Sequence, residues 1–539
     1  MERNWQKTLG VSVAVLGVAA IVAVLVVVLT GDDDGGGGGP KDAAERGGST
    51  ERPAGAPSVP SGPARMGPAP SAIPAVREWK PVRGQGWKPD RYSRVVADPD
   101  GPLADEARLL ARELRVKASG GPARPGDVEL RRTPGAKTGR EGYVLTSRKG
   151  RVEITGSHDA GVFYGTRTLL QTVRDQGRFA EGTVRDRPDR PQRGFMLDIA
   201  RKPFSAEWIE RRIREMGDLK LNQFQLHLSD DQAFRVESDR YPEIVSDPHL
   251  TKAEVRRIVK LAASRHIEVI PEIDSPGHLG AVIKAHPELQ LRSASGSPAP
   301  GAVDITRPKA AKILDDLTRE YAELFPGRWW HLGGDEYQAL MTQNPEASYP
   351  RLAAAARKRY GARGRVQDLA TDWLNDRAKT VREVGKTPQV WNDGMHRGGA
   401  ATPHRDREVT YWTGKEIGAR EPEEYLREGW KVVNLNDEYL YYVLGEPNQF
   451  TYPTGERVYR EWTPAVLRGS EPVPDKWAGP DRILGGRFAV WGDLADAQST
   501  EQVARGIRMP LRATAQKLWD PRKPTRSWES FTRLAGRVD

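Results

Sequence analysis

Short apolar runs recur along the chain from Gln192 onward, and helical segments separate them. We count eight such runs over about 330 residues, and eight β/α units are the number that closes a (β/α)8 barrel. The repetition predicts an α/β fold, a TIM barrel with some long loops, over residues 191–539. The runs lie at residues 194–198, 223–228, 267–271, 329–332, 388–391, 409–412, 431–434 and 487–491.

The region before the predicted barrel, residues 75–190, has a mixed pattern. Helices are predicted around residues 103–116 and 160–173, and alternating strands at residues 141–146 and 152–154. Strands and helices that alternate over about 110 residues predict a small α+β domain whose sheet is covered on one side. We assign no chemistry to this domain.

The amino-terminal segment has the pattern of a membrane anchor. Residues 9–30 contain no charged side chain, Arg3 and Lys7 precede them, and three aspartates follow at residues 32–34. A run of about 22 residues crosses a bilayer as a helix, and basic residues before it place the rest of the chain outside the cytoplasm. We predict a transmembrane anchor at residues 1–30 and an extracytoplasmic catalytic domain. A cleaved signal peptide, which makes the protein secreted, is the alternative.

Residues 31–74 have a different composition from the segments on either side. They are rich in Gly, Pro, Ala and Ser, with five consecutive glycines at residues 35–39. Such a segment has almost nothing to bury, so we predict a disordered linker between the membrane and the folded part.

Polar and aromatic side chains gather where the predicted barrel strands end. Barrels of this kind place functional groups at the carboxyl ends of their strands, so we expect these side chains to share one cleft. Carboxylates, an arginine and three tryptophans are typical of a sugar pocket, in which aromatic faces pack on pyranose rings and charged groups bind hydroxyls. The residues are Asp198, Arg201, Asp230, Asp231, Asp274, His278, Asp335, Glu336, Trp391, Trp412, Trp491 and Asp493.

These residues also have purely structural explanations. The tryptophans could belong to the core, and Arg201 could form an ion pair with Asp198. His227, Asp230 and His278 could bind a metal, but they lack the close helical spacing of hydrolytic zinc motifs. We therefore predict neither a metal nor another cofactor.

The composition limits the partners of the chain. It contains no cysteine, which excludes disulfides and thiolate zinc sites. The net charge of +10 arises from 83 Lys and Arg against 73 Asp and Glu, without one long basic run. We do not predict nucleic-acid binding.

Asp335 and Glu336 follow a strand-like run that ends in two glycines. Gly333 and Gly334 free the backbone at the strand's end, so both carboxylates could reach one cleft. The usual retaining glycosidase needs two carboxylates about 5 Å apart that flank the sugar. Adjacent residues do not easily reach opposite faces of a ring. The alternative is a substrate whose 2-acetamido group attacks C1, which needs only one acid/base residue.

Four motifs in this order resemble glycoside hydrolase family 20, the β-N-acetylhexosaminidases and their relatives. They are RGFMLDIAR at residues 193–201, HLSDDQ at 227–232, PEIDSPGH at 271–278 and HLGGDE at 331–336. AGVFYG at residues 160–165 and TLLQ at 168–171 also resemble the small α+β domain that precedes the barrel in that family. The resemblance implies exo-acting hydrolysis of terminal β-linked N-acetylhexosamine, GlcNAc or GalNAc, by substrate-assisted catalysis through an oxazolinium intermediate.

The same resemblance implies a role for each candidate residue. Glu336 is the expected general acid and then base, and Asp335 the group that holds the acetamido nitrogen. Arg201 and Asp493 are expected to bind sugar hydroxyls, and the pocket walls are Trp391, Trp412 and Trp491. Asp230, Asp274 and His278 are expected behind Glu336, whose pKa we expect burial and a nearby carboxylate to raise.

The chain departs from the commoner family pattern near residue 441. Family members usually carry a Tyr that bonds the acetamido oxygen and, two residues later, an Asp. We assign the Tyr to Tyr441, with Tyr439 as the rival, and position 443 is then Val. Position 493 is Asp rather than Glu. Together, these two departures resemble the branch of the family that contains lacto-N-biosidases. Two alternatives stay open: release of a disaccharide, and a non-catalytic glycan-binding surface protein.

Overall fold

A computed structural model describes residues 65–415 and 419–539, which all belong to one compact unit. The predicted anchor at residues 1–30 and the predicted linker as far as residue 64 lie outside the described residues. Among the described helices, none combines the length and the hydropathy needed to cross a bilayer.

The first part of the described chain is built around a seven-stranded sheet. Two helices, α1 (Ala104–Leu114) and α2 (Asp159–Gln176), accompany it. Buried and partly buried side chains alternate along β7 and β8, so one face of the sheet is covered, as predicted. The strands are β2 (Glu78–Pro81), β4 (Arg94–Val96), β5 (Lys117–Ser119), β6 (Val128–Arg132), β7 (Tyr143–Arg148), β8 (Arg151–Gly156) and β9 (Gly182–Asp186), in the order β2-β9-β7-β8-β6-β4-β5. A separate antiparallel pair consists of β1 (Arg65–Met66) and β3 (Arg83–Gly84).

The end of the predicted linker is part of this fold, so the expectation of a spacer with nothing to bury is wrong there. Ser71, Ala72 and Ile73 are at most 4% exposed. The Ile73 N–H donates to Gln171 Oε1 at 2.8 Å, and Gln171 Nε2 donates back to the Ile73 carbonyl at 3.2 Å. The folded part therefore begins before residue 75.

The eight predicted apolar runs form a closed parallel barrel. Each strand pairs with the next, and the last strand, β20, pairs with the first, β10, which closes the ring. Most strand residues are buried because helices cover the outside and side chains fill the inside. The barrel strands are β10 (Gln192–Asp198), β11 (Gln223–Ser229), β12 (Glu268–Ile273), β15 (Trp329–His331), β16 (Thr387–Trp391), β17 (Glu408–Tyr411), β18 (Val432–Asn434) and β20 (Ile483–Trp491).

A short strand that was not predicted, β19 (Tyr441–Val443), lies beside the second half of β20. Its neighbour β18 pairs with the first half of β20, at Ile483–Gly486. β19 therefore occupies the carboxyl end of the barrel, and it brings Tyr441 to that end.

Helices and one hairpin complete the barrel. The helix α4 starts with a capping box, in which Thr251 and Glu254 bond each other's backbone N–H groups. The hairpin consists of β13 (Gln290–Arg292) and β14 (Pro298–Val303). The helices are α3 (Ala206–Asp218), α4 (Lys252–Ala263), α5 (Gly280–Ala285), α6 (Pro308–Leu324), α7 (Pro345–Ser348), α8 (Pro350–Tyr360), α9 (Val366–Glu383), α10 (Pro422–Arg427), α11 (Gly455–Glu461), α12 (Thr500–Trp519) and α13 (Trp528–Val538).

The α+β part and the barrel are joined by buried cations around Trp519. Lys220 Nζ, which is fully buried, lies 4.5 Å from the Trp519 ring and 3.6 Å from Asp186 Oδ2. Arg193, also fully buried, pairs with Glu141 at 2.8 Å. A buried cation without its partner is strongly unfavourable, so these pairs fix the two parts against each other.

Candidate active site

The turn after β15 places both carboxylates of the HLGGDE motif at the carboxyl end of the barrel. Gly333 and Gly334 have φ angles of 67° and 103°, and Glu336 has a φ of 47°. A Cβ on Gly333 would lie 1.8 Å from Asp274 Oδ1, so a larger residue does not fit. The Gly334 N–H donates to the same Asp274 oxygen at 2.8 Å.

His278 links the two carboxylates to Asp230. His278 Nε2 lies 3.5 Å from Glu336 Oε2 and 3.8 Å from Asp335 Oδ2. On its other side, His278 Nδ1 lies 3.2 Å from Asp230 Oδ1. Because both carboxylates approach one nitrogen atom, they lie on the same side of the cleft.

Arg201 lies at the same end of the barrel and contacts two aspartates. Its guanidinium is 3.0 Å from Asp198 Oδ2 and 2.8 Å from Asp230 Oδ2. The ion pair with Asp198 that offered a structural explanation for Arg201 is therefore present. Arg201 also lies over the Trp491 ring at 5.3 Å, and its charge interacts with that of Asp493. It thus joins the candidate pocket as well as the structural pair.

The predicted aromatic residues come together with Tyr441. Trp412 stacks on Tyr441 with ring centroids 5.7 Å apart and an interplanar angle of 4°. Trp491 contacts Tyr441 at 5.7 Å and Trp391 at 6.0 Å. Trp391 is fully buried and donates its indole N–H to Glu272 Oε1 at 2.8 Å, so it lies beneath the other rings.

The structure separates the two candidate tyrosines. The Tyr439 hydroxyl donates to Glu461 Oε2 at 3.2 Å, and Arg457 lies 4.2 Å from its ring centroid. Tyr441 instead stacks among the tryptophans, and the negative charge of Asp335 acts on it. The geometry therefore favours Tyr441 at the site.

Two aspartates near Asp335 have pKa values well above the ordinary range. Burial is the main cause for both Asp274 and Asp393, and the negative charge of Asp335 raises both pKa values further. Burial also raises the pKa of Tyr441 well above 10, and Asp335 is again the next cause. Burial and the charge of Asp335 thus favour the neutral form of all three groups.

The expectation of a raised pKa for Glu336 is wrong for this structure. The interaction with His278, whose Nε2 lies 3.5 Å from Glu336 Oε2, lowers the pKa of Glu336 more strongly than burial raises it. Burial lowers the pKa of His278, but the charges of Asp230 and Asp335 outweigh it and the pKa lies well above 6.5. The pair therefore favours a charged imidazole beside a charged Glu336 carboxylate.

Sequence reasoning missed a charged layer below the site. Glu272 on β12 is fully buried, and its carboxylate lies 3.3 Å from nitrogen atoms of both His227 and His331. Burial lowers the pKa of His227, but Glu272 and Asp230 raise it to about 10. The missed signal is the strand alternation, since Glu272 stands two residues before Asp274 and shares its face.

Two groups of side chains at this end of the barrel have the composition of metal ligands. They are Asp230, Asp231 and His278, and Asp274, His278 and Asp335. Both groups use His278. The absence of a metal stays a prediction.

Comparison with protein families gives two matches. Residues 191–521 match "Glycosyl hydrolase family 20, catalytic domain", and residues 69–187 match "Glycosyl hydrolase family 20, domain 2".

Curated relatives match half of the chain or more. A lacto-N-biosidase of Bifidobacterium bifidum is 30% identical over 473 residues, which are 86% of this chain and 41% of that protein. A β-hexosaminidase of Porphyromonas gingivalis is 29% identical over 52% of this chain and 38% of that protein. The chain thus spans about two fifths of the length of these two relatives.

Solved structures share the whole described architecture. A mutant β-hexosaminidase of Streptomyces plicatus in complex with the product GlcNAc superposes with a TM-score of 0.70 at 26% identity. The match covers 88% of this chain and 95% of that one. The GH20 β-N-acetylhexosaminidase of Streptomyces coelicolor A3(2) gives a TM-score of 0.69, also at 26% identity.

Proposed function

The chain belongs to glycoside hydrolase family 20, and on that premise we propose that it releases terminal β-linked N-acetylhexosamine from non-reducing ends of glycans. The reaction is hydrolysis with retention at C1, and the 2-acetamido group of the substrate acts as the nucleophile. The observation that carries this proposal is the approach of Asp335 and Glu336 to one atom, His278 Nε2, at 3.8 and 3.5 Å. Carboxylates on one side of a cleft cannot flank a sugar ring, so neither serves as a nucleophile opposite the acid.

Family membership and the positions of the residues support the following roles. The acetamido oxygen attacks C1 while Glu336 protonates the departing oxygen. Asp335 holds the acetamido N–H and balances the positive charge of the oxazolinium ring. The Tyr441 hydroxyl, whose raised pKa keeps it protonated, donates to the acetamido oxygen. Glu336 then takes a proton from water, which opens the ring.

The nucleophile can be tested with a substrate that lacks it. We expect rapid cleavage of an aryl N-acetyl-β-glucosaminide and little cleavage of the matching plain glucoside. A thiazoline analogue of GlcNAc should bind more tightly than the substrate because it resembles the cyclised intermediate. Rates on the two glycosides and an inhibition constant for the analogue measure this. Comparable cleavage of both glycosides would contradict the mechanism.

A second candidate activity is release of the disaccharide lacto-N-biose. It is supported by the 30% identity to a lacto-N-biosidase over 86% of the chain, and by Val443 and Asp493 at the two divergent positions. Aryl glycosides of GlcNAc, GalNAc and lacto-N-biose separate the two candidates. Turnover of the lacto-N-biose glycoside alone would establish the second, and no turnover of any of them would favour a non-catalytic glycan-binding protein.

We also propose the domain division and the location. Residues 75–190, with the buried residues just before them, are the small domain, and residues 191–539 the catalytic domain. Residues 1–30 anchor the chain in the membrane with the catalytic domain outside, and secretion after cleavage is the alternative. Residues 31–64 act as the linker. The uncharged run and its flanking charges support the anchor.

Truncation tests the anchor and the linker together. A protein that begins at Arg65 should be soluble and fully active on aryl glycosides, because every candidate site residue lies between Asp198 and Asp493. One that begins at Ala75 should unfold at a lower temperature, because it loses Ile73, whose burial contributes about 1.5–3 kcal/mol. Activity assays and thermal unfolding of both proteins measure this. Loss of activity in the longer protein would mean that residues 1–64 reach the site.

A further inference from the structure

The turn after β16 packs directly on the turn that carries Glu336. The backbone N–H of Trp391 donates to the Gly333 carbonyl at 3.0 Å. This bond extends the pairing of β15 and β16 into the two turns. A Cβ on Gly394 would lie 2.5 Å from the Gly334 carbonyl oxygen, so the backbones are in close contact. Asp393 lies between Trp391 and Gly394 and faces this junction.

The Asp393 carboxyl group joins two parts of the candidate site. Its Oδ2 accepts a hydrogen bond from the Glu336 N–H at 3.1 Å. Its Oδ1 accepts one from the Trp412 indole N–H at 3.0 Å. Trp412 in turn stacks on Tyr441. One carboxyl group therefore fixes both the backbone of the proposed acid and an aromatic wall of the proposed acetamido pocket.

The Glu336 backbone needs such a partner. Its φ of 47° lies in the left-handed region, which L-residues other than Gly adopt rarely. The bond from its N–H to Asp393 is specific to this conformation of the turn. Without it, the backbone can relax, and the Glu336 carboxylate then moves away from His278.

We propose that Asp393 is a positioning residue for the hydrolysis, which holds Glu336 and Trp412 in their working arrangement. The inference rests on the proposed function, since it assigns Asp393 to the acid and the pocket of that reaction. Asp393 acts through these two residues and does not itself donate the catalytic proton.

The test compares Asp393→Ala and Asp393→Asn with the parent full-length protein on two substrates. On an unactivated substrate such as chitobiose, Asp393→Ala should lower kcat/KM by about 10–100-fold, the loss typical of a misplaced catalytic group. The loss on an aryl glycoside with an acidic leaving group should be smaller, because that substrate depends less on Glu336. Asn keeps one acceptor oxygen, so Asp393→Asn should retain an intermediate activity.

A second background shows whether Asp393 acts through Glu336. When Glu336→Gln has already removed the acid, Asp393→Ala should lower kcat/KM on chitobiose by a much smaller factor than it does in the parent protein. Trp412→Phe, which removes the indole donor together with part of the aromatic surface, reports the other contact. The matched control is Asp315→Asn, since Asp315 also accepts bonds from two residues, Arg377 and Thr380, but lies outside the site. It should leave kcat/KM on both substrates unchanged.

The outcomes separate this inference from the proposed function. An inactive parent refutes the proposed function. An active parent with equal losses in both Glu336 backgrounds, or equal losses on both substrates, refutes the positioning role. Thermal unfolding of each variant identifies a folding defect. If Asp393→Ala does not fold, the same comparisons with Asp393→Asn decide.

Discussion

Replacing Glu336 with Gln is expected to lower kcat/KM on chitobiose by about 10²–10⁴-fold, the usual contribution of general acid/base catalysis. Gln has nearly the same shape but cannot give a proton to the departing oxygen. An aryl glycoside with an acidic leaving group should lose far less in its first step, because its oxygen departs without protonation. Steady-state kinetics on both substrates measure this difference.

The control for this variant is Glu323→Gln, which changes an exposed glutamate on α6 and should have no effect on either substrate. Equal losses on both substrates in Glu336→Gln would contradict the acid role. Unchanged activity on chitobiose would mean that another group supplies the proton.

Replacing Asp335 with Asn should lower kcat/KM by about 10²–10³-fold, the range observed when one preorganised electrostatic contact to a transition state is removed. Asn cannot balance the positive charge that develops as the acetamido oxygen closes on C1. Ring closure accompanies the departure of every leaving group, because the new bond to C1 forms as the old one breaks. The loss should therefore be similar for chitobiose and for the activated glycoside, unlike the loss in Glu336→Gln.

Two further readouts make the Asp335 prediction specific. Binding of the thiazoline analogue should weaken in Asp335→Asn, because the variant lacks the charge that the cyclised intermediate needs. Asp316→Asn, on α6 outside the site, is the control and should leave inhibition unchanged. If the loss in Asp335→Asn grows as the leaving group becomes poorer, then Asp335 rather than Glu336 is the general acid, and the proposed assignment is wrong.

The regular patterns of the chain predicted the barrel and the place of the site. Each apolar run indicates a strand that is buried on both faces, because a barrel strand lies between the outer helices and the packed interior. The parallel strands all end at one rim, so residues such as Arg201, His278 and Asp493 could be grouped without a structure. The strand β19 was not predicted, and its place beside β20 is known only from the folded chain.

The arrangement of side chains within the candidate site depends on contacts between residues that are distant in sequence. Asp393 and Glu336 are 57 positions apart, and only the folded chain shows that their turns touch. The choice of Tyr441 over Tyr439, and the burial of Trp391 beneath the other rings, likewise depend on neighbours from other strands.

The sequence by itself determined the architecture, the carboxylate pair and the residues around it, because periodicity and strand ends are local properties of the chain. Only the tertiary structure decided the directions in which the pKa values of the site shift. The pKa of Glu336 is lowered by His278, and the pKa values of Asp274 and Asp393 are raised by burial and by Asp335. The reason is physical: a pKa depends on burial and on charges a few Å away, and these distances are fixed only when the strands close into the barrel.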